Sequence, residues 1–134
     1  MLSITKEFTF DAAHRLADGY KGKCSNIHGH TYKVQVTVSL KAGKLVDKFG
    51  MVMDFSKLKK IWDTKIEEKL DHNYLNVSLN FQSTAENLCG YLFQKFSDNL
   101  KDKRIFVSEI KIWETPTSFA SYTIKEEELA TFKK

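Results

Sequence analysis

Proline occurs once, at Pro116, and glycine six times in 134 residues. That scarcity leaves no material for a flexible or Pro-rich linker, so residues 1–134 read as a single domain. The length suffices for one hydrophobic core of modest size. Cysteine is scarce too, with only Cys24 and Cys89. One lies in a polar loop beside histidines and the other in an apolar helical pattern. They read as free thiols in a reducing compartment, not as a disulfide. No apolar run reaches the length of a membrane span. The opening residues, Met1-Leu2-Ser3-Ile4-Thr5-Lys6-Glu7, lack the apolar stretch of a signal peptide. The expectation is a cytoplasmic protein without a membrane partner. A strong excess of one charge is also missing: 21 Lys and Arg stand against 17 Asp and Glu, a formal +4. The short basic clusters, Lys57-Lys59-Lys60 and Lys101-Lys103-Arg104, read as solvated faces. The field is too diffuse for nucleic acid, yet compatible with a small anionic substrate. No internal repeat or low-complexity segment is present.

What the chain does contain is large apolar bulk in a clear pattern. Ten Phe, five Tyr and two Trp supply the core. From Leu2 to His14 apolar residues occupy alternate positions, with one lapse at Lys6, which predicts a half-buried strand. Residues 15–27, with Asp18, Gly19, Gly22, Ser25 and Asn26, predict a loop. Alternation returns from His28 to Leu40, where His28, His30, Tyr32, Val34, Val36 and Val38 share one face. A connection with Gly43 and Gly50 leads to a helix capped by Asp54 or Ser56. In that helix Phe55, Leu58, Ile61, Trp62, Ile66 and Leu70 recur at helical spacing. Ser83-Thr84-Ala85-Glu86 fits a capping box: the Ser83 hydroxyl accepts from the Glu86 amide and the Glu86 side chain reaches back. The helix it opens carries Leu88, Tyr91, Leu92, Phe96 and Leu100 on one side. Strands are predicted again at 104–114 and 118–124, and the charged tail reads as a short helix or a frayed end. The order is ββααββ. It predicts an α+β domain with a four-stranded antiparallel sheet and two helices on one face. Such a sheet has two open edges, which association into a homo-oligomer would close.

Three of the four histidines share parity with the apolar core. In His28-Gly29-His30 two imidazoles project from the same side of a strand, and His14 ends the apolar face of the preceding strand. If the strands pair, the rings converge. Three imidazoles with an open fourth position suit a catalytic Zn2+; three separately hydrogen-bonded histidines are the plainer alternative. Cys24, four residues before His28, is a candidate general base or nucleophile, a fourth zinc ligand, or an inert loop thiol. Cys89 reads as a small core residue. Asp71-His72 is either a carboxylate orienting an imidazole or a helix-terminal His beside a surface Asp. Glu114 shares parity with Ile110 and Ile112. It is either a strand-end ion pair or an anchor for a ligand with a bidentate donor edge. Asp54 reads as a helix cap rather than a catalyst.

Taken together, several stretches resemble one family. They are Phe10-Asp11-Ala12-Ala13-His14-Arg15-Leu16, Cys24-Ser25-Asn26-Ile27-His28-Gly29-His30-Thr31-Tyr32, Gly50-Met51-Val52-Met53-Asp54-Phe55, Leu70-Asp71-His72-Asn73-Tyr74-Leu75-Asn76, Ser83-Thr84-Ala85-Glu86-Asn87 and Trp113-Glu114-Thr115. They are similar to the 6-pyruvoyltetrahydropterin synthase superfamily over about residues 4–124. Ser83 departs from the pattern, since many members have Pro there. The resemblance implies the tunnelling fold, in which units of this kind assemble into a barrel with sites between subunits. It implies a pterin triphosphate substrate, 7,8-dihydroneopterin triphosphate, and Zn2+ on His14, His28 and His30. Cys24, Asp71 and His72 would be catalytic, and Glu114, with Thr84 nearby, would bind the pterin ring. Three residues separate Cys24 from His28. That short gap resembles members that form 6-carboxytetrahydropterin and release acetaldehyde on the bacterial route to queuosine. The alternatives are the 6-pyruvoyl-forming activity, a non-catalytic zinc-containing pterin-binding module, and a zinc hydrolase acting on another small substrate.

Overall fold

The computed structural model describes residues 1–132. Strands β1 (Ser3–His14) and β2 (His28–Leu40) form the long antiparallel ladder that the alternation predicts. Pairs run from Ser3 opposite Ser39 to His14 opposite His28, so even-numbered residues of both strands share one face. Phe8, Phe10, Tyr32, Val34, Val36 and Val38 are buried on it. Lys6 keeps its place in this row as a half-buried side chain whose ammonium lies 5.6 Å from the centre of the Phe8 ring. The odd-numbered face is polar and paired across the strands: Thr5 and Thr37 hydroxyls meet at 2.8 Å, and the Gln35 amide donates to Glu7.

The expected four-stranded antiparallel sheet is corrected. The sheet is mixed and has five strands, ordered β3-β1-β2-β4-β5. The addition is β3 (Asn73–Tyr74), which pairs parallel with Ala12 and Ala13 of β1. A two-residue strand carries no periodicity, so no pattern announces it. On the other side β4 (Ile105–Thr115) and β5 (Ser118–Thr123) pair antiparallel, as expected.

The simple pair of helices is corrected as well. The predicted first helix is α1 (Phe55–Ile61), a π turn (Trp62–Ile66) and α2 (Glu67–Leu70). Four of its buried residues, Leu58, Trp62, Ile66 and Leu70, recur every four positions, with Ile61 buried beside them. On a helix of about 3.6 residues per turn such a row drifts around the axis. The π turn absorbs an extra residue and returns the row to the core. Trp62 then stacks on Phe8, centroids 4.7 Å apart and planes 6° off parallel. Asp54 caps α1 by accepting from the Ser56 amide at 2.8 Å. A single turn, α3 (Leu75–Ser78), precedes α4 (Ala85–Asp98), which packs on β4 and β5 through Leu88, Cys89, Leu92, Phe93 and Phe96. The capping box is corrected by one position. The cap is Thr84, whose Oγ1 accepts from the Asn87 amide at 3.1 Å, while Ser83 is buried and engaged elsewhere.

Short 3-10 turns at Lys23–Ser25 and Glu126–Phe132 complete the described chain. Between β2 and α1, the Asp47 carboxylate accepts from the Phe49 and Met51 amides around Gly50, whose positive φ of 81° suits glycine. Arg104 clamps this connection by donating to the carbonyls of Leu45 and Val52. Among the described residues no helix is long and apolar enough to cross a membrane.

Candidate metal centre and active site

The even-numbered face of the β1–β2 ladder changes character at its end. Past the stacked pair Phe10 and Tyr32, the next side chains on that face are Ala12 and His30, then His14 and His28. Register does the work: Ala12 is opposite His30 and His14 is opposite His28, so all three imidazoles must project the same way. Ring centroids lie 4.6 Å apart for His14 and His28, 4.9 Å for His28 and His30, and 5.3 Å for His14 and His30. Gly29, between two of them, is opposite Ala13. Glu114, near the end of β4, joins the group. Its carboxylate and the three imidazoles offer one ligand atom each, all within 4.8 Å of one another.

Hydrogen bonds fix two of the rings from behind. His14 Nδ1 lies 2.9 Å from the Ser83 carbonyl and 3.0 Å from the Ser83 hydroxyl. His28 Nδ1 lies 2.7 Å from the Asn26 carbonyl. A carbonyl accepts only, so each Nδ1 carries the proton and each Nε2 keeps a lone pair. The Nε2 atoms of His28 and His30 are buried and have no hydrogen-bond partner among the described residues. Glu114 Oε1 approaches His30 Nε2 at 3.2 Å, but off the direction of a hydrogen bond. Burying polar atoms without partners is costly, and a cation at their common focus removes that cost. Second contacts that orient ligand imidazoles are what metal sites require. The residues therefore fit Zn2+.

The electrostatics agree. His14 and His30 are held below the usual imidazole range, chiefly because burial disfavours the cation. Glu114 opposes that shift and His28 adds to it. Neutral rings are the ones that ligate. Tyr32 is fully buried under the cluster, its hydroxyl 3.4 Å from His14 Nε2. Burial, and secondarily Glu114, raise its phenol well above the usual range, so it stays a neutral donor.

The remaining predicted residues fall into separate places. Asp71 and His72 form a pair, Oδ2 to Nδ1 at 2.8 Å, docked on the edge of β1. The Asp11 amide donates to Asp71 Oδ1 at 3.0 Å, and the His72 amide donates to the Asp11 carbonyl at 2.6 Å. His72 holds a left-handed backbone, φ 59°, uncommon outside glycine. The bond from the Asp11 amide, followed by that from His72, lowers the Asp71 carboxyl; Asp71 in turn raises the imidazole of His72. This pair clusters with the Asp11 carboxylate, on the side of the sheet where Thr31 donates to Asp11. The three-histidine cluster is on the other side. Cys24 is half-buried in the turn Lys23–Ser25, and its thiol is not among the groups that make up the metal cluster. Thr84 caps α4, at whose start Ala85 and Glu86 border a hollow shared with Glu114 and residues 118–121.

Sequence reasoning missed the contacts of Ser83 with His14 and of Asn26 with His28, and the side-chain bonds of Asn76 to Arg15 and of Gln82 to Ala17. Ser83 could have been found only by shifting the cap to Thr84. The Asn26 contribution is a backbone carbonyl, which no residue type signals.

The model of the 6-pyruvoyl tetrahydropterin synthase family matches residues 3–125. The chain is 38% identical over 143 aligned residues to the 6-carboxy-5,6,7,8-tetrahydropterin synthase of Haemophilus influenzae, covering 91% of this chain and 99% of the relative. It is 36% identical over 134 aligned residues to the 6-pyruvoyl tetrahydrobiopterin synthase of Drosophila melanogaster, covering 89% and 77%. The solved structure of Caenorhabditis elegans 6-pyruvoyl tetrahydropterin synthase superposes with a TM-score of 0.78 at 29% identity, covering 92% of this chain and 96% of that one. With the family model matched over 123 of its 134 residues and pterin synthases among its relatives, the chain belongs to the 6-pyruvoyl tetrahydropterin synthase family.

Proposed function

We propose that this protein is a zinc-dependent carbon–carbon lyase. It converts 7,8-dihydroneopterin triphosphate and water to 6-carboxy-5,6,7,8-tetrahydropterin, acetaldehyde and triphosphate, a step toward 7-deazapurines such as queuosine. The observation that carries the reading is the convergence of His14, His28 and His30, with two buried Nε2 atoms that have no hydrogen-bond partner among the described residues. The product assignment is supported by relatives of 38% and 39% identity named 6-carboxy-5,6,7,8-tetrahydropterin synthase. The three-residue gap between Cys24 and His28 supports it too.

Bound at the three imidazoles, Zn2+ would supply Lewis acidity for the oxygens of the substrate side chain. The protein does the rest. Cys24 takes and returns protons at the side chain. Asp71 orients His72 and favours its cationic form, the form that donates a proton. Glu114 accepts from the amino and N–H edge of the ring, with the start of α4 and Thr84 beside it. The Asp71–His72 pair lies across the sheet from the histidines. We therefore assign the pair acting on a given substrate to a neighbouring copy in a homo-oligomer, so that sites form between subunits.

One observation favours a second reading. Glu114 lies within ligand range of the histidines, as in a closed four-ligand structural site. A Glu114→Gln variant separates the two. Weaker pterin binding with full zinc supports the anchor role, whereas loss of zinc supports the fourth-ligand role. Cys24→Ala addresses a non-catalytic module in the same way, since a structural ligand would cost zinc and a catalytic base only turnover. The deciding experiment is product analysis of the zinc-loaded protein with 7,8-dihydroneopterin triphosphate. Acetaldehyde with 6-carboxytetrahydropterin is the expected outcome. A 6-pyruvoyl product without acetaldehyde would transfer the protein to the sister activity.

A further inference from the structure

Residues 15–17 leave the end of β1 and continue as if they were still in a sheet. Their amides point alternately to two sides. Arg15 donates to Asn76 Oδ1 at 2.9 Å, Leu16 to the Cys24 carbonyl at 2.7 Å, and Ala17 to Gln82 Oε1 at 2.7 Å. The side-chain amides return the bonds: Asn76 Nδ2 donates to the Arg15 carbonyl at 2.9 Å, and Gln82 Nε2 to the Ala17 carbonyl at 3.4 Å. Two side-chain amides thus stand where a neighbouring strand would stand, and the turn carrying Cys24 is hung on the opposite side. Arg15 Nε adds a bond to the Ser25 carbonyl at 2.9 Å. The amides of Ser25 and Asn26 bond only within the turn, to the carbonyls of Gly22 and Lys23. From outside, the turn is held at two places: by Arg15 and Leu16 at the Ser25 and Cys24 carbonyls, and by His28 at the Asn26 carbonyl where it enters β2.

The residues that follow Gln82 sharpen the point. Ser83 holds His14 through its carbonyl and hydroxyl, and Thr84 caps α4 beside the Glu114 hollow. Three successive residues thereby hold Ala17, next in the chain to the Leu16 anchor of the thiol-bearing turn, the candidate ligand His14, and the start of α4. A shift at Gln82 moves the first relative to the other two.

We propose that Gln82 is a positioning residue that, through Ala17 and Leu16, sets where Cys24 lies relative to His14. The inference rests on the assignment of Cys24 to proton transfer, and its test reads the thiol directly as well as turnover. The full zinc-loaded chain is compared with Gln82→Ala, Gln82→Glu and Cys24→Ala. In Gln82→Ala, kcat falls by up to about 100-fold, the cost of a misplacement of about 1 Å. KM, zinc content and Tm stay as in the parent. Alkylation of Cys24 by iodoacetamide becomes faster as its turn loosens, with the buried Cys89 contributing nothing. Gln82→Glu keeps the short bond from the Ala17 amide, loses only the longer bond to the Ala17 carbonyl, and recovers most of both rate constants. Unchanged kcat and unchanged alkylation in Gln82→Ala would overturn the proposal. So would a fall in kcat that comes with loss of zinc or Tm and is not rescued by Gln82→Glu. If Cys24→Ala retains full turnover, the assignment of Cys24 fails instead, and the alkylation rate alone decides whether Gln82 places the turn.

Discussion

His14, His28 and His30 are alike in type and unlike in support. His14 is 1% exposed and gripped by Ser83, whereas His30 leans only toward Glu114. Replacing His28 or His30 with Ala is expected to abolish zinc binding, read by metal analysis of the purified protein. Full occupancy in either variant would refute the three-histidine site. Ser83→Ala keeps the carbonyl at His14 and loses the hydroxyl, so zinc affinity should fall by about 10-fold, the low end for a supporting contact. A chelator competition titration measures it. The Asp71–His72 pair carries a pH expectation. His72 is raised above its ordinary value by Asp71, so the cationic form persists to higher pH than in a free imidazole. If His72 donates a proton, turnover is lost as pH rises through that raised value. In Asp71→Asn the loss moves to lower pH, and NMR titration of His72 follows the same direction. The parity of the three histidines was legible in the sequence because alternation in a strand admits one arrangement. The place of Ser83 was not, because Ser83 and Thr84 are both good caps and only packing against His14 chooses between them.

Among the elements, α4 shows how local and tertiary demands share residues. Thr84→Ala removes the hydroxyl that accepts from the Asn87 amide, and is expected to cost about 1 kcal/mol of stability in urea unfolding. A rise in KM on top of that loss would mark a contact with substrate, while an unchanged KM would confine Thr84 to capping. The long strands, α4 and the Asp54 cap were readable from period, bulk and cap chemistry. The π turn was not: Leu58, Trp62, Ile66 and Leu70 fit a helix loosely, and the demand that Trp62 lie flat on Phe8 tightens them. Nor was β3, whose two residues owe their strand pairing to β1 and to the Asp71–His72 contacts with Asp11. A short element held by its neighbours leaves no signature of its own.

The whole molecule has two kinds of sheet edge. β5 ends the sheet on one side, and on the other β3 covers only Ala12 and Ala13 of β1. Open edges favour pairing with another copy, so sedimentation at micromolar concentration should find an oligomer. A mixing experiment tests where the sites are. His30→Ala and His72→Ala, each inactive alone, should recover part of the activity when co-refolded if sites form between copies. They should recover none if each site lies within one chain. The α+β class and the antiparallel core of the sheet were legible from the order of elements. The relation of the two candidate clusters across the sheet was not, since it depends on the edge to which residues 71–74 return.

The β1–β2 ladder also acts as a counting device. His14 faces His28 only because each strand holds a fixed number of residues, and side chains change sides with every step. One amino acid inserted anywhere between Phe10 and His14, or between His28 and Tyr32, would turn an imidazole to the wrong side. The stretch 15–27 carries no such constraint on its length, apart from the few bonds that tether it. Between Phe10 and Tyr32, changes in chain length that keep the three imidazoles together are therefore confined to that stretch, where the reach from the candidate centre to the thiol can be altered without disturbing the rings.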